Sequence, residues 1–336
     1  MIIPRYLGDN GTIGVTAPSF GVVEPLDILR FDNAEKRLSE RGIKVKKTPN
    51  VHTAFDEEGR SSPYQQRIEE FCGLFEDPEV DVIISASGGD YQFEMLAGMD
   101  WDVIERNPKW FQGYSDNTVL AFMMTVMHDI ATIYSGNFGD FGMEPWHRSV
   151  TEGLEFLQGR RSSQRSFSKY QDGFFDREHG LEPFNEEKDV EWISNVGDVE
   201  FSGRLLGGCM DVLDWFNKQN DFDIGPFIDR YSDDGFIWYM ETFDMDEARI
   251  RKMLKRMRKD GWFENVSGFV FGRPLFYHGS EYSEAICDAL KDFDVPKVFG
   301  ADVGHKPPRM TFINGAYCTF NIEGKGAIID YDLSRS

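Results

Sequence analysis

Three short apolar runs in the first half of the chain restrict its fold more than any other feature. Residues 12–17 (TIGVTA) end at Pro18, residues 80–86 (VDVIISA) end at Gly88-Gly89, and residues 110–113 (WFQG) lead straight into an apolar helix over 117–128. Each run is too short for a helix and is bounded by glycine or proline, as strands buried on both faces are. Between them the pattern changes period. Residues 26–41 carry apolar groups at helical spacing, with Leu26, Leu29 and Leu38 on the expected inner face. Residues 43–48 alternate like a strand, and Ser62-Pro63 marks a helix start, Ser as N-cap and Pro in the first turn, ahead of Ile68, Phe71 and Phe75. Strand–helix repetition of this kind predicts an α/β domain with a parallel sheet covered on both faces.

Between about residues 159 and 197 the periodicity dissolves into Ser, Arg, Gln, Asp and Glu, which predicts a linker with local structure. Beyond it the pattern is α+β. Strands are expected at 201–206, 236–241, 268–271, 311–314 and 327–331, with helices at 246–259 and 283–293. The helix at 246–259 places acids early, bases late, and Ile250, Met253, Leu254 and Met257 on one face. The expected organisation is therefore an N-terminal domain over 1–160, a linker over 161–197 and a C-terminal domain over 198–336. A length of 336 residues agrees with two domains at about 150 residues each.

Charge narrows the partners. Against 36 Lys and Arg stand 58 Asp and Glu, a formal charge of −22. Such a surface repels phosphodiester backbones and anionic lipid, so neither nucleic acid nor membrane is an expected partner. The four cysteines, Cys72, Cys209, Cys287 and Cys318, are far apart in sequence, form no CxxC, and read as small core residues. The first apolar stretch stops at Pro4, too short for a signal-peptide core, and no run approaches the length of a membrane span, so the expected location is cytoplasmic. HExxH, closely paired histidines and EF-hand spacing are all absent, and no metal or cofactor is expected.

The sharpest chemical signal is WFQGYSDNT at 110–118, where a strand runs into Ser115 and a helix begins at once. That is the setting of a nucleophile elbow, with G-x-S-x-N in place of G-x-S-x-G. The alternative is that Ser115 or Asp116 simply caps the helix. A serine needs a base. His305, in ADVGHKPPRM, follows a glycine and precedes two prolines on a stiffened loop; a surface histidine in a turn is the alternative. A catalytic histidine needs an orienting acid. Glu241 stands where the apolar strand GFIWYM meets a loop, either as that acid or in a salt bridge with Arg249 or another base. Gly88 and Gly89 follow a strand and let backbone N–H groups approach a ligand, an oxyanion or a phosphate. Gly207-Gly208 reads as a turn. Lys306 and Arg309 beside His305 are candidates for binding a terminal carboxylate, and Trp146 and Trp192 for lining a pocket.

Together these segments resemble the LD-carboxypeptidase family (peptidase family S66), which also includes the microcin C immunity peptidase. The resemblance runs through GTIGVTAPS at 11–19, ISASGGDY at 84–91, NPKWFQGYSDNT at 107–118, GRLLGGCMDVL at 203–213, YMETFDMDEARIRKML at 239–254 and VGHKPPRMTFINGA at 303–316. It implies Ser115 as nucleophile, Glu241 as acid, His305 as general base, and the backbone N–H groups of Gly89 and Asp116 as the oxyanion hole. It implies an N-terminal Rossmann-like domain resembling class I glutamine amidotransferases and a C-terminal β-rich swivelling domain. It further implies a homodimer that uses no cofactor. The glycine motif departs from the family: many muropeptide-cleaving members carry GGYG, whereas this chain has GGDY. The departure leaves two substrates open, a muropeptide cut by an L,D-carboxypeptidase or a peptidyl- or aminoacyl-nucleotide amide. A non-catalytic binding module is the third possibility.

Overall fold

The first three apolar runs do form neighbouring parallel strands. In the computed structural model, which describes residues 1–219 and 222–335, the chain divides into two units. One comprises Met1–Arg161 and Phe175–Phe184, the other Ser162–Phe174 and the chain from Asn185 onward. The first unit runs β1 (Thr12–Thr16), α1 (Pro25–Ser39), β2 (Lys44–Lys47), α2 (Tyr64–Glu76), β3 (Val82–Ser85), α3 (Phe93–Leu96), α4 (Trp101–Arg106), β4 (Trp110–Gly113), α5 (Thr118–His128), β5 (Thr132–Tyr134) and α6 (Arg148–Leu157). The strands lie side by side as β2–β1–β3–β4–β5, all parallel. Strand order reverses between β1 and β3, so the loops leaving their carboxyl ends diverge and open a crevice, the usual place for a ligand in such sheets. Those loops carry Ser19 and Gly88-Gly89, and the turn leaving the adjacent β4 carries Ser115.

Two local expectations are corrected. In α1 the buried face is Arg30, Phe31, Asn33, Ala34 and Leu38, while Leu26 and Leu29 are exposed at 38% and 44%. At about 100° per residue, Leu26 and Leu29 fall opposite Phe31 and Leu38. The other apolar positions of the helix outweigh them. At α2 the N-cap is Pro63, with no side-chain cap, and Ser62 stays outside the helix.

In the second unit β6 (Ser163–Arg165), β7 (Lys169–Tyr170), β8 (Lys188–Asp189) and β9 (Ile193–Ser194) come from the stretch read as a linker. They are followed by β10 (Val199–Cys209), α7 (Met210–Phe216), α8 (Gly225–Arg230), β11 (Phe236–Glu241), α9 (Glu247–Lys259), β12 (Val266–Gly272), α10 (Tyr282–Ala289), β13 (Lys297–Ala301), β14 (Phe312–Asn314), β15 (Tyr317–Glu323) and β16 (Gly326–Asp332). An eight-stranded sheet runs β6–β16–β15–β10–β11–β12–β13–β9, parallel from β10 to β13 and antiparallel elsewhere. Residues 161–197 are thus shared out: β6 and β9 form the two edges of this sheet, and Phe175–Phe184 belongs to the first unit, where Arg30 Nη1 donates to the carbonyls of Gly180 (2.9 Å) and Glu182 (3.0 Å). Gly207 and Gly208 are not a turn. They lie inside β10, and a Cβ on Gly207 would stand 1.7 Å from the Tyr239 carbonyl oxygen. Cys72, Cys209 and Cys318 are buried, but Cys287 is only half-buried.

Helix α9 has the amphipathic face read from its sequence, with Ile250, Met253, Leu254 and Met257 all buried. Asp246 caps it, accepting from Arg249 N at 2.7 Å. Asp246→Ala leaves that N–H without its partner and is expected to lower stability by about 1 kcal/mol, measured as a shift in the denaturant midpoint at constant slope.

Candidate active site

Strand β4 ends at Gly113, Tyr114 is extended, and Ser115 takes φ 66°, in the left-handed region. A non-glycine residue there costs about 1–2 kcal/mol, so the surroundings must hold it in place. The Ser115 N–H donates to Tyr134 Oη at 3.0 Å, and Thr118 Oγ1 donates to the Ser115 carbonyl at 2.7 Å. Gly113 must be glycine, since a Cβ would lie 2.7 Å from Asn117 Cγ. A single 3-10 turn over Ser115–Asn117 then leads into α5. The reading of Ser115 or Asp116 as a cap of α5 does not hold. The N-cap is Asn117, with no side-chain cap bond, and the Asp116 carboxylate turns away to the loop after β3.

That loop packs on Ser115. A Cβ on Gly88 would lie 3.2 Å from Ser115 Cβ, 3.3 Å from its Oγ and 3.9 Å from the Asp116 nitrogen. At Gly89, with φ 143°, a Cβ would lie 2.2 Å from Ser19 Oγ. Gly88 thus lets backbone come close against Ser115, and at Gly89 both the left-handed φ and the contact with Ser19 exclude a side chain.

In the second unit Glu241 ends β11 fully buried, and His305 sits on the loop between β13 and β14, 8% exposed. Their side chains meet, His305 Nδ1 to Glu241 Oε2, at 2.8 Å. When Glu241 is ionised its carboxylate can only accept, which puts the proton on Nδ1 and leaves Nε2 as the acceptor nitrogen. The Arg249 alternative fails: that guanidinium pairs with Asp214 at 3.0 Å and Asp211 at 3.8 Å. Gly304, at φ 107°, permits the approach, since a Cβ there would lie 2.5 Å from Glu241 Oε2.

Asp302, Arg273 and Asp211, which the sequence reading does not single out, brace this loop. Asp302 is buried and accepts from Arg273 Nη1 (2.9 Å), Phe167 N (3.0 Å) and Trp192 Nε1 (3.1 Å). Burial pushes its carboxyl pKa up, and Arg273 opposes the shift. Arg273 Nη2 also donates to the Lys306 carbonyl at 3.1 Å, and Arg309 Nε to the Gly304 carbonyl at 2.6 Å. On the Glu241 side, Asp211 accepts from Thr242 Oγ1 (3.1 Å) and Phe243 N (3.0 Å). The available signal was position: Arg273 follows the carboxyl end of β12, and Asp302 follows that of β13. Lys306 Nζ lies 2.7 Å from Asp172. Trp192 is wholly buried on Asp302, and Trp146 donates to the Phe141 carbonyl at 2.6 Å. Among the described residues, no group of three or more His, Cys, Asp or Glu is placed to hold a metal, and no helix is long and apolar enough to cross a membrane.

Comparison with known proteins agrees with the fold. The LD-carboxypeptidase N-terminal domain matches residues 13–135 and the LD-carboxypeptidase C-terminal domain matches residues 202–320. The chain belongs to the LD-carboxypeptidase family, and it is a serine-type carboxypeptidase. It is 24% identical to the probable murein peptide carboxypeptidase of Bacillus subtilis, over 99% of this chain and 95% of that one. It is also 24% identical to the microcin C7 self-immunity protein MccF of Escherichia coli, over 97% and 94%. Among solved structures, MccF in complex with aspartyl sulfamoyl adenosine superposes with a TM-score of 0.81 at 21% identity, covering 100% of both chains. An MccF-like protein from Streptococcus pneumoniae in complex with AMP superposes with a TM-score of 0.77 at 24% identity, over 97% and 99%.

Proposed function

We propose that the protein hydrolyses an amide bond through Ser115, His305 and Glu241, acting as an L,D-carboxypeptidase on muropeptides. The observation that carries this reading is the buried 2.8 Å bond from His305 Nδ1 to Glu241, which presents Nε2 as a base. His305 Nε2 takes the Ser115 proton as Oγ attacks the scissile carbonyl carbon. The oxyanion of the tetrahedral intermediate is held by the N–H groups of Gly89 and Asp116, with Gly88 leaving room beside Oγ. On collapse the C–N bond breaks and the imidazolium gives its proton to the leaving amine. Water, deprotonated by the same nitrogen, then cleaves the acyl-enzyme. Lys306 and Arg309 are the cations nearest in sequence to His305 for a terminal carboxylate, although Lys306 is held by Asp172 and Arg309 Nε by the Gly304 carbonyl.

A second substrate reading, an aminoacyl-nucleotide amide, rests on a row of aromatic rings. Phe243 lies 5.0 Å from the His305 ring, Phe276 lies 5.5 Å from Phe243, and Phe174 lies 6.1 Å from Phe276. These three rings are exposed at 37%, 43% and 72%, and exposed rings in a row suit a planar base. Purified protein is to be given a murein tetrapeptide and, separately, an aminoacyl sulfamoyl-adenosine, with product followed by mass spectrometry. Release of the terminal D-residue alone supports the first reading. Cleavage of the nucleotide conjugate, weakened about tenfold or more in Phe276→Ala, supports the second. Turnover of neither counts against both.

A further inference from the structure

Beyond its backbone N–H, Asp116 has a side chain that the proposed mechanism does not use, and its contacts all lie within the first unit. Its Oδ2 accepts from two consecutive backbone N–H groups, Tyr91 at 3.0 Å and Gln92 at 3.1 Å. Ser19 Oγ accepts from the same Tyr91 N–H at 2.9 Å, and its hydroxyl helps to hold the Asp116 pKa down. The neighbouring residue repeats the link: Asn117 Nδ2 donates to the Ser87 carbonyl at 3.0 Å, and Gln92 Nε2 donates to Asn117 Oδ1 at 2.6 Å. The segment 87–92 is therefore tied to the Ser115 turn at both ends, with Gly88 and Gly89 between the ties.

We propose that the Asp116 carboxylate is a positioning residue that fixes the Gly88-Gly89 backbone against Ser115 and so sets the spacing of the two oxyanion donors. The proposal rests on the serine-hydrolase reading only for its catalytic consequence; the tie itself stands on the contacts. A charged acceptor is what makes it rigid, because bonds from N–H to an ionised carboxylate are shorter and stronger than bonds to a neutral oxygen. The charge is held at a cost. Asp116 is buried, and desolvation pushes its pKa up to about 6, while the bonds from Ser19, Gln92 and Tyr91 hold it down and Asp90 on the same loop raises it further. From the other side Arg67 reaches the loop through the Tyr91 carbonyl at 2.9 Å and is itself paired with Glu94, and Arg60 stacks on the Tyr91 ring.

The sign of the linkage separates positioning from ordinary structural support. A carboxyl whose folded pKa lies above its unfolded value contributes stability at low pH that is lost as pH rises from about 4 through about 6. At neutral pH the ionised group is therefore a burden on the fold, and Asp116→Asn removes the charge while keeping an acceptor oxygen. The expected result is a melting temperature at pH 7.5 equal to or above wild type, with kcat lower by about 10–100-fold and KM within about twofold. Ser19→Ala, which removes one partner and leaves the carboxylate, is expected to lower kcat less strongly, and the melting temperature with it. Hydrogen–deuterium exchange over residues 87–92 supplies a readout independent of turnover. After correction for intrinsic rates, wild type should exchange faster at pH 5 than at pH 7.5, and Asp116→Asn should exchange fast at both. Unchanged exchange in Asp116→Asn, or a fall in melting temperature that accounts for its lost activity, overturns the proposal. If exchange responds as stated but wild-type Ser115 neither labels with a fluorophosphonate nor turns over substrate, the serine-hydrolase reading fails while the tie stands.

Discussion

Ser115→Ala is expected to lower turnover of the cleaved substrate by roughly 10⁴–10⁶ and to abolish labelling by a fluorophosphonate, with circular dichroism unchanged. The magnitude follows from the role: without Oγ no acyl-enzyme forms, and what remains is catalysis by the oxyanion donors and substrate binding. The backbone adds a second expectation. Ser115 is held at φ 66°, where glycine carries no Cβ penalty. Ser115→Gly should therefore be inactive yet more stable than wild type by about 1 kcal/mol, read from the denaturant midpoint. Loss of activity with gain of stability marks a residue kept for chemistry. Wild-type turnover in Ser115→Ala, or a loss of stability in Ser115→Gly, would mean that the turn serves the fold alone.

Legibility in the sequence followed how local the determinants were. Strands β1, β3 and β4 were plain because burial on both faces makes a short run uniformly apolar. Strand β11 was legible to its last residue for the same reason. Strands β13 and β15 were not expected. β13 opens on a lysine, Lys297, and contains Gly300 at φ 79°, while β15 interleaves buried and half-exposed positions with Thr319 and Asn321 in its pattern. The inner face of α1 departs from expectation because Leu26 and Leu29 are apolar yet the helix turns Phe31, Ala34 and Leu38 inward.

The candidate site shows the same division. Ser115, Glu241 and His305 each stand at a strand end or a glycine-bounded loop, positions that a linear reading can recognise. Arg273 and Asp302 also follow strand ends, but what they hold lies far off in the chain. Asp302, Arg273 and Asp211 act across 27 or more residues of chain, through bonds such as Arg273 to the carbonyl of Gly300 at 2.7 Å. Nothing in their immediate neighbours announces those partners. The glycines at 207 and 208 depart from expectation for a related reason. A glycine pair signals a turn locally, but here it answers to the Tyr239 carbonyl on the neighbouring strand.

Glu241→Gln is the complementary test, with an expected loss of roughly 10³–10⁴ in kcat. The amide is nearly the shape of the carboxylate, so the buried site stays filled. It carries no charge, however, and can present an N–H where His305 Nδ1 needs an acceptor, which leaves the imidazole in the wrong tautomer or turned from its place. Glu241→Ala would confuse this with a cavity and an unsatisfied buried donor, and is the poorer variant. The decisive comparison is the double variant Ser115→Ala/Glu241→Gln. Groups that serve one proton transfer lose it once, so the double variant should be no slower than Ser115→Ala alone. Independent groups would instead multiply their losses, to beyond about 10⁷ in total. A multiplicative result, or a Glu241→Gln enzyme within tenfold of wild type, would remove Glu241 from the reaction and leave its bond to His305 as a feature of the fold.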